Sequence, residues 1–63
     1  MSLSANLRNL RAARGETVED LADATRVPVA TIRSVEDGRI RTDDWIIEAL
    51  AAHYGLSPAI LRA

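Results

Sequence analysis

The order of apolar residues and chain stops between residues 17 and 38 narrows the fold most. Leu21-Ala22, then Val27, Ile32 and Val35, closed by Glu36-Asp37-Gly38, are spaced for two short helices joined by a tight turn. Thr17 stands where an N-cap hydroxyl is needed, with Glu19 and Asp20 in the first turn, where the helix dipole favours negative charge. Thr25-Arg26-Val27 reads as the turn. Pro28 follows at a first helical position, where a missing N–H loses no intrahelical bond, and Gly38 stops the helix.

The flanking segments read the same way. Leu3, Leu7 and Leu10 form one apolar stripe and predict a first helix over residues 3–14, capped by Ser2 or Ser4 and ended by Gly15. The second helix is expected to bury Val18 or Leu21, Ala22 and Thr25, and the third, over residues 28–37, to turn Ile32 and Val35 inward. Thr42 or Asp43 caps a fourth helix whose Ile47, Leu50, Ala51 and Tyr54 share a face, with Gly55 as its stop. Ser57-Pro58 opens a short fifth helix containing Ile60 and Leu61. With no strand signal, repeat, low-complexity segment or linker, the expected fold is all-α: one compact five-helix domain over residues 1–63.

Composition sets limits on function. A chain of 63 residues without cysteine has a marginal core and neither disulfides nor thiolate metal sites to supplement it. Its stability must come from helix packing, with a partner subunit as the available supplement. No apolar run approaches the roughly 20 residues that span a bilayer, and the start lacks a basic segment followed by an apolar one. A soluble cytoplasmic protein without membrane contact is the expectation. His53 is the sole histidine, without a second ligand at metal-binding spacing, and Asp43-Asp44 read as capping residues. Ser2, Ser4, Ser34 and Ser57 have no paired base, and no Gly-rich phosphate loop exists. The residues point to no enzyme, no metal and no cofactor.

The net charge is −1, low for a chain that binds nucleic acid, but its distribution is uneven. Residues 24–41 carry four arginines (Arg26, Arg33, Arg39, Arg41) against two acids, whereas both flanks are net acidic. The one basic stretch therefore coincides with the third helix and the loop after it. Every cation is arginine, which genomic base composition explains better than selection for guanidinium forks does.

Leu7-Arg8, Leu10-Arg11, Gly15, Leu21-Ala22, Val27, Ile32, Val35-Glu36-Asp37-Gly38, Leu50-Ala51 and Tyr54-Gly55-Leu56-Ser57, in that order, resemble the lambda-repressor/Cro type of helix-turn-helix domain. This is the XRE-like family of phage and bacterial transcription regulators. The likeness runs from about residue 3 to 61, with the helix-turn-helix itself at about 17–38. It implies a sequence-specific regulator that inserts its third helix in the major groove of double-stranded DNA.

The resemblance also assigns roles. It implies a structural ion pair between Arg11 and Glu36, against the alternative of a solvated Arg11. Base readout falls to Pro28, Val29, Ala30, Arg33 and Ser34. Here the sequence departs from the usual pattern, because Pro28, Val29 and Ala30 offer only apolar contact, suited to thymine methyl groups. Arg33 alone can grip guanine O6 and N7 with two donors; its alternative is a phosphate. Phosphate contacts fall to Thr17, Arg26, Arg39 and Arg41, with Arg8 or Arg14 as further candidates. Arg26 occupies a turn position where relatives often carry Gly or Asn, and Val18 a position where a glutamine is common. Glu16, Glu19, Asp20 and Asp23 crowd the second helix with negative charge, read as dipole complementation and a solvated face.

Trp45, Ile46 and Ile47 cannot all be buried on one helical face, which marks one of them for the surface. Trp45, Pro58, Ala59 and Arg62 are the candidate interface of a homodimer, which would read a palindromic operator with two third helices about one DNA turn apart. The alternative for Trp45 is that it folds over the domain's own edge. The brevity of the chain suggests a minimal, Cro-like repressor acting by promoter occlusion. The competing reading is a protein-interaction module of antitoxin or anti-repressor type with little DNA binding.

Overall fold

The computed structural model describes residues 2–39 and 41–63. They form five α-helices in the order α1 (Leu3–Ala13), α2 (Val18–Thr25), α3 (Val29–Asp37), α4 (Asp44–Tyr54) and α5 (Pro58–Arg62), with no strand among the described residues. Each helix supplies one fully buried branched side chain: Leu7, Leu21, Ile32, Leu50 and Leu61. Val27 from the α2–α3 turn, Val35, Ile46, Ile47, Ala51 and Tyr54 complete the core. A side chain of this size stabilises by about 1.5–3 kcal/mol when fully buried. The core is therefore assembled from all five helices at once, and no helix buries its apolar face alone. α1 packs on α3 and α5, α2 on α3 and α4, and α4 on α5. No helix among the described residues is long and apolar enough to cross a membrane.

Local chemistry sets the ends of the helices. Thr17 and Asp20 form a reciprocal capping box: the Asp20 N–H donates to Thr17 Oγ1 at 3.0 Å, and the Thr17 N–H to Asp20 Oδ2 at 3.1 Å. Ser2 and Ser57 cap α1 and α5 through Ala5 N–H and Ile60 N–H. Gly38 closes α3 in the left-handed region at φ 68°, letting the Arg39 N–H reach the Ser34 carbonyl at 3.0 Å.

Two boundaries differ from the sequence reading by one residue each, and the expected cap of α4 lacks its bond. Helix α1 stops at Ala13, with Arg14 as its C-cap. Pro28 precedes α3 as the N-cap, because its ψ of 143° is extended; its carbonyl still accepts the Ile32 N–H at 3.0 Å. Asp43 holds the N-cap position of α4 without a side-chain capping bond. Of the three bulky residues opening α4, Ile46 and Ile47 are buried and Trp45 is 54% exposed.

Candidate nucleic-acid interface

The inner face of α3 is fixed first. Ile32 and Val35 sit in the core, and Glu36 beside them is only 6% exposed although it is charged. Its carboxylate receives two bonds from Arg11 on α1, Nε to Oε2 at 2.7 Å and Nη2 to Oε1 at 3.0 Å. The hydrogen bonds that Arg11 donates to Glu36, and the charge of Glu36, raise the pKa of Arg11 against the opposing effect of burial. Arg11 also donates from Nη1 to the Glu16 carbonyl at 2.9 Å, and Arg8 Nη1 reaches the Glu36 backbone carbonyl at 2.6 Å. The C-terminal half of α3 is thus bolted to α1 by two arginines.

The outer face is turned to solvent. Ala30, Arg33 and Asp37 recur at helical spacing and are all exposed, as is Pro28; Val29 and Ser34 flank them half-buried. No side chain caps the first turn of α3. The five residues expected to read bases thus lie on one projecting helix and the residue before it.

Around this face stand the cations. Arg26, Arg39 and Arg41 are exposed, and among the described residues neither Arg26 nor Arg41 takes part in an ion pair. Arg26 adopts φ 65°, the only left-handed non-glycine among the described residues, so a backbone conformation that favours Gly or Asn is carried here by a residue with a Cβ. Arg39 lies 3.6 Å from Asp37 in a surface pair. Thr17 is exposed, and although its oxygen accepts the capping bond, its O–H remains a donor. Arg8 and Arg14, the further phosphate candidates, are turned to internal partners instead. Arg8 holds Glu36, and the Arg14 guanidinium lies over the Tyr54 ring, 4.8 Å from its centroid.

Glu19 and Glu16 make contacts that had no counterpart in the sequence reading. Arg33 Nη2 donates to Glu19 Oε2 on α2 at 3.1 Å, so Glu19 is not merely a solvated first-turn acid. Glu16, in the loop between α1 and α2, accepts from Tyr54 Oη and from His53 Nε2, both at 2.7 Å. Burial pushes the Glu16 carboxyl up, but these two bonds, together with nearby positive charge that includes Arg14, outweigh it and hold the group below its ordinary range. Burial, then the bond to Glu16, push the Tyr54 phenol the other way, upward. The available signal was Tyr54 itself: a tyrosine on a core-facing helical stripe needs a partner for its hydroxyl.

At the far side, Trp45 is exposed, Ala59 is exposed and Pro58 half-buried, while Arg62 Nη2 binds Asp44 Oδ1 at 2.6 Å. Ile60, 59% exposed, borders an apolar groove of about 450 Å³ between α1 and α5, lined by Asn6, Leu10, Ala13, Leu56 and Leu61.

A family model described as a helix-turn-helix domain matches residues 2–63. The chain belongs to the helix-turn-helix family. In this helix-turn-helix protein α2 and α3 are the paired helices, joined by the Arg26–Pro28 turn. Among solved structures it is similar to the clp gene regulator ClgR from Corynebacterium glutamicum, at 32% identity over 94% of this chain with a TM-score of 0.82. A second structure of the same regulator gives 32% identity, 94% coverage and a TM-score of 0.79. The chain spans 63% of the length of the first of these and 77% of the second. No curated protein matches it.

Proposed function

We propose that this helix-turn-helix protein is a DNA-binding transcription regulator that presents α3 to the major groove. The carrying observation is the division of α3 into a clamped inner face and an exposed outer face bearing Arg33. Arg33 is assigned to guanine, Pro28, Val29 and Ala30 to thymine methyl groups, and Ser34 to a base edge at the rim. Thr17, Arg26, Arg39 and Arg41 set register on phosphate. Trp45, Pro58, Ala59 and Arg62 form the contact of a homodimer on a palindromic operator, and the mode of action is Cro-like promoter occlusion. Similarity to a gene regulator supports the class, and the exposed apolar side chains of α4 and α5 support the dimer.

Selection from a random duplex pool tests the class, the site and the symmetry together: a recovered palindrome is expected. A salt titration then tests the phosphate contacts. Three arginines neutralising three phosphates per chain give a log–log slope of about −2.7 per chain, and each Arg→Ala change at 26, 39 or 41 should flatten it by about 0.9. A second reading is favoured by the exposed Trp45 and Ile60: a protein-interaction module with little DNA binding. It predicts partner affinity that survives replacement of Arg33, Arg39 and Arg41, with no duplex retained at low salt.

A further inference from the structure

We propose that Glu19 is a specificity-determining residue, which holds Arg33 away from phosphate while leaving it able to grip a guanine edge; this rests on Arg33 being a base-reading residue. The ion pair between Arg33 Nη2 and Glu19 Oε2 spans 3.1 Å and joins the two paired helices across the very face expected to meet DNA. Both side chains are more than half exposed, at 60% and 63%, so the pair exists in water and adds little to folding. Its consequence is for what Arg33 does next.

A guanidinium has five N–H donors, and Glu19 engages one of them. The remaining Nη2 hydrogen, Nη1 and Nε leave a complete fork for guanine O6 and N7, so base readout does not require the pair to break. Phosphate capture is different, because the incoming group is an anion. A phosphate on Arg33 comes to lie about 7 Å from the Glu19 carboxylate, and two like charges at that distance in water weaken the contact by about three-fold. A guanine edge is neutral and escapes this repulsion. The same carboxylate therefore penalises binding to arbitrary DNA more than binding to a matched site.

The remaining acids of α2 are differently placed. Asp20 is engaged in the capping box with Thr17, and Asp23 takes part in no ion pair among the described residues. Asp23→Asn thus changes net charge by the same amount as Glu19→Gln without touching Arg33, and serves as the control.

The probe is a random duplex pool of about 20 base pairs, long enough for two half-sites one helical turn apart. For the wild type, E19Q, D23N, R33A and E19Q/R33A, affinity is measured at one fixed low ionic strength of about 0.01 M, where a Debye length of about 30 Å leaves this repulsion little screened. The substrates are the unselected pool and the duplex that the wild type enriches. E19Q is expected to tighten binding to the unselected pool by about three-fold beyond any change in D23N, with a smaller gain on the enriched duplex. The ratio of the two affinities then falls, and E19Q/R33A behaves as R33A does. Unchanged thermal melting of E19Q checks that the fold is intact. Equal effects of E19Q and D23N, an unchanged ratio, or an E19Q effect that persists without Arg33 would each overturn the inference. If R33A alters the enriched sequence while E19Q leaves the ratio flat, only the role of Glu19 falls. If the wild type retains no duplex at low salt, the DNA-binding reading falls with it.

Discussion

Replacing Arg11 with methionine keeps most of the aliphatic stem and removes the guanidinium that faces Glu36. The magnitude follows from the asymmetry of the pair. The Glu36 side chain is 8% exposed and that of Arg11 23%, so water can reach the arginine but hardly the carboxylate. Breaking a buried pair from one side costs about 3–5 kcal/mol, because the remaining charge is left without a partner. Partial access from the Arg11 side puts R11M near about 3 kcal/mol, and the lost bond to the Glu16 carbonyl adds about 1 kcal/mol. A domain this small holds roughly 3–9 kcal/mol in total at about 0.05–0.15 kcal/mol per residue, so R11M consumes much of its stability. Glu36→Leu is expected to cost less, since Arg11 can rehydrate and keeps its bond to Glu16. The double variant R11M/E36L replaces an ion pair with apolar groups, and such exchanges are often neutral or stabilising. It should therefore be more stable than R11M alone. Urea unfolding followed by far-ultraviolet circular dichroism at pH 7 reads all three. If R11M is unfolded in buffer, the return of a cooperative transition in the double variant carries the test. A cost below about 1 kcal/mol for R11M, or a double variant no more stable than R11M, would refute the reasoning.

Further outcomes follow from other contacts. Glu16 has a lowered pKa in the fold, so its contribution is fully present above the ordinary 4.5 and is lost as pH falls through its folded value. Tyr54 has a raised pKa, so its contribution is fully present below the ordinary 10.0 and is lost as pH climbs beyond it. Thermal melts across pH should thus show a loss at each edge, with Glu16→Gln removing the acid one and Tyr54→Phe the alkaline one. Arg26→Gly relieves a left-handed residue at φ 65° and should stabilise by about 1 kcal/mol, a rise of roughly 4–8 °C in melting temperature, while weakening duplex binding. Trp45→Ala should leave the melting of the dilute protein nearly unchanged, because the ring is 54% exposed, yet reduce operator affinity and the self-association seen by sedimentation.

The helices were legible because their signals are local. Thr17, Ser57, Gly38 and Gly55 each set a helix end through bonds to residues within a few positions, and the sequence displays such residues openly. Pro28 misled by one position because proline suits both the N-cap and the first helical residue, and only its ψ decides between them. Arg11 and Glu36 stand 25 residues apart and were paired through family resemblance, not by their spacing. The Glu16 clamp on His53 and Tyr54 spans 37 and 38 positions, and nothing local sets Glu16 apart from the acids that follow it. Glu19 with Arg33 is the same case at shorter range, 14 residues. Pairings made by tertiary packing leave no mark on either residue's neighbours, and one of them, Arg11 with Glu36, ties α3 to α1.

The arginines explain how a chain of net charge −1 can present a basic face. Arg8 and Arg11 hold Glu36, Arg14 lies on Tyr54 and Arg62 holds Asp44, so four of the eight arginines are engaged in joining helices. Several acids are likewise engaged, with Glu36, Glu16 and Asp20 all bonded within the fold. Net charge counts every group equally, although the opposite charges of Arg11 with Glu36 and of Arg62 with Asp44, matched at 2.7 and 2.6 Å, contribute little to the field felt a Debye length away. What an approaching polyanion meets is the unmatched remainder, and in the stretch around α3 that remainder is Arg26 and Arg41, with Arg33 and Arg39 held only in exposed pairs. Such a face steers DNA locally without the broad positive field that drives strong non-specific binding. On the proposed reading, affinity comes from a few well-placed contacts, and the clamp of Arg8 and Arg11 on Glu36 that fixes α3 behind them sets where those contacts can fall.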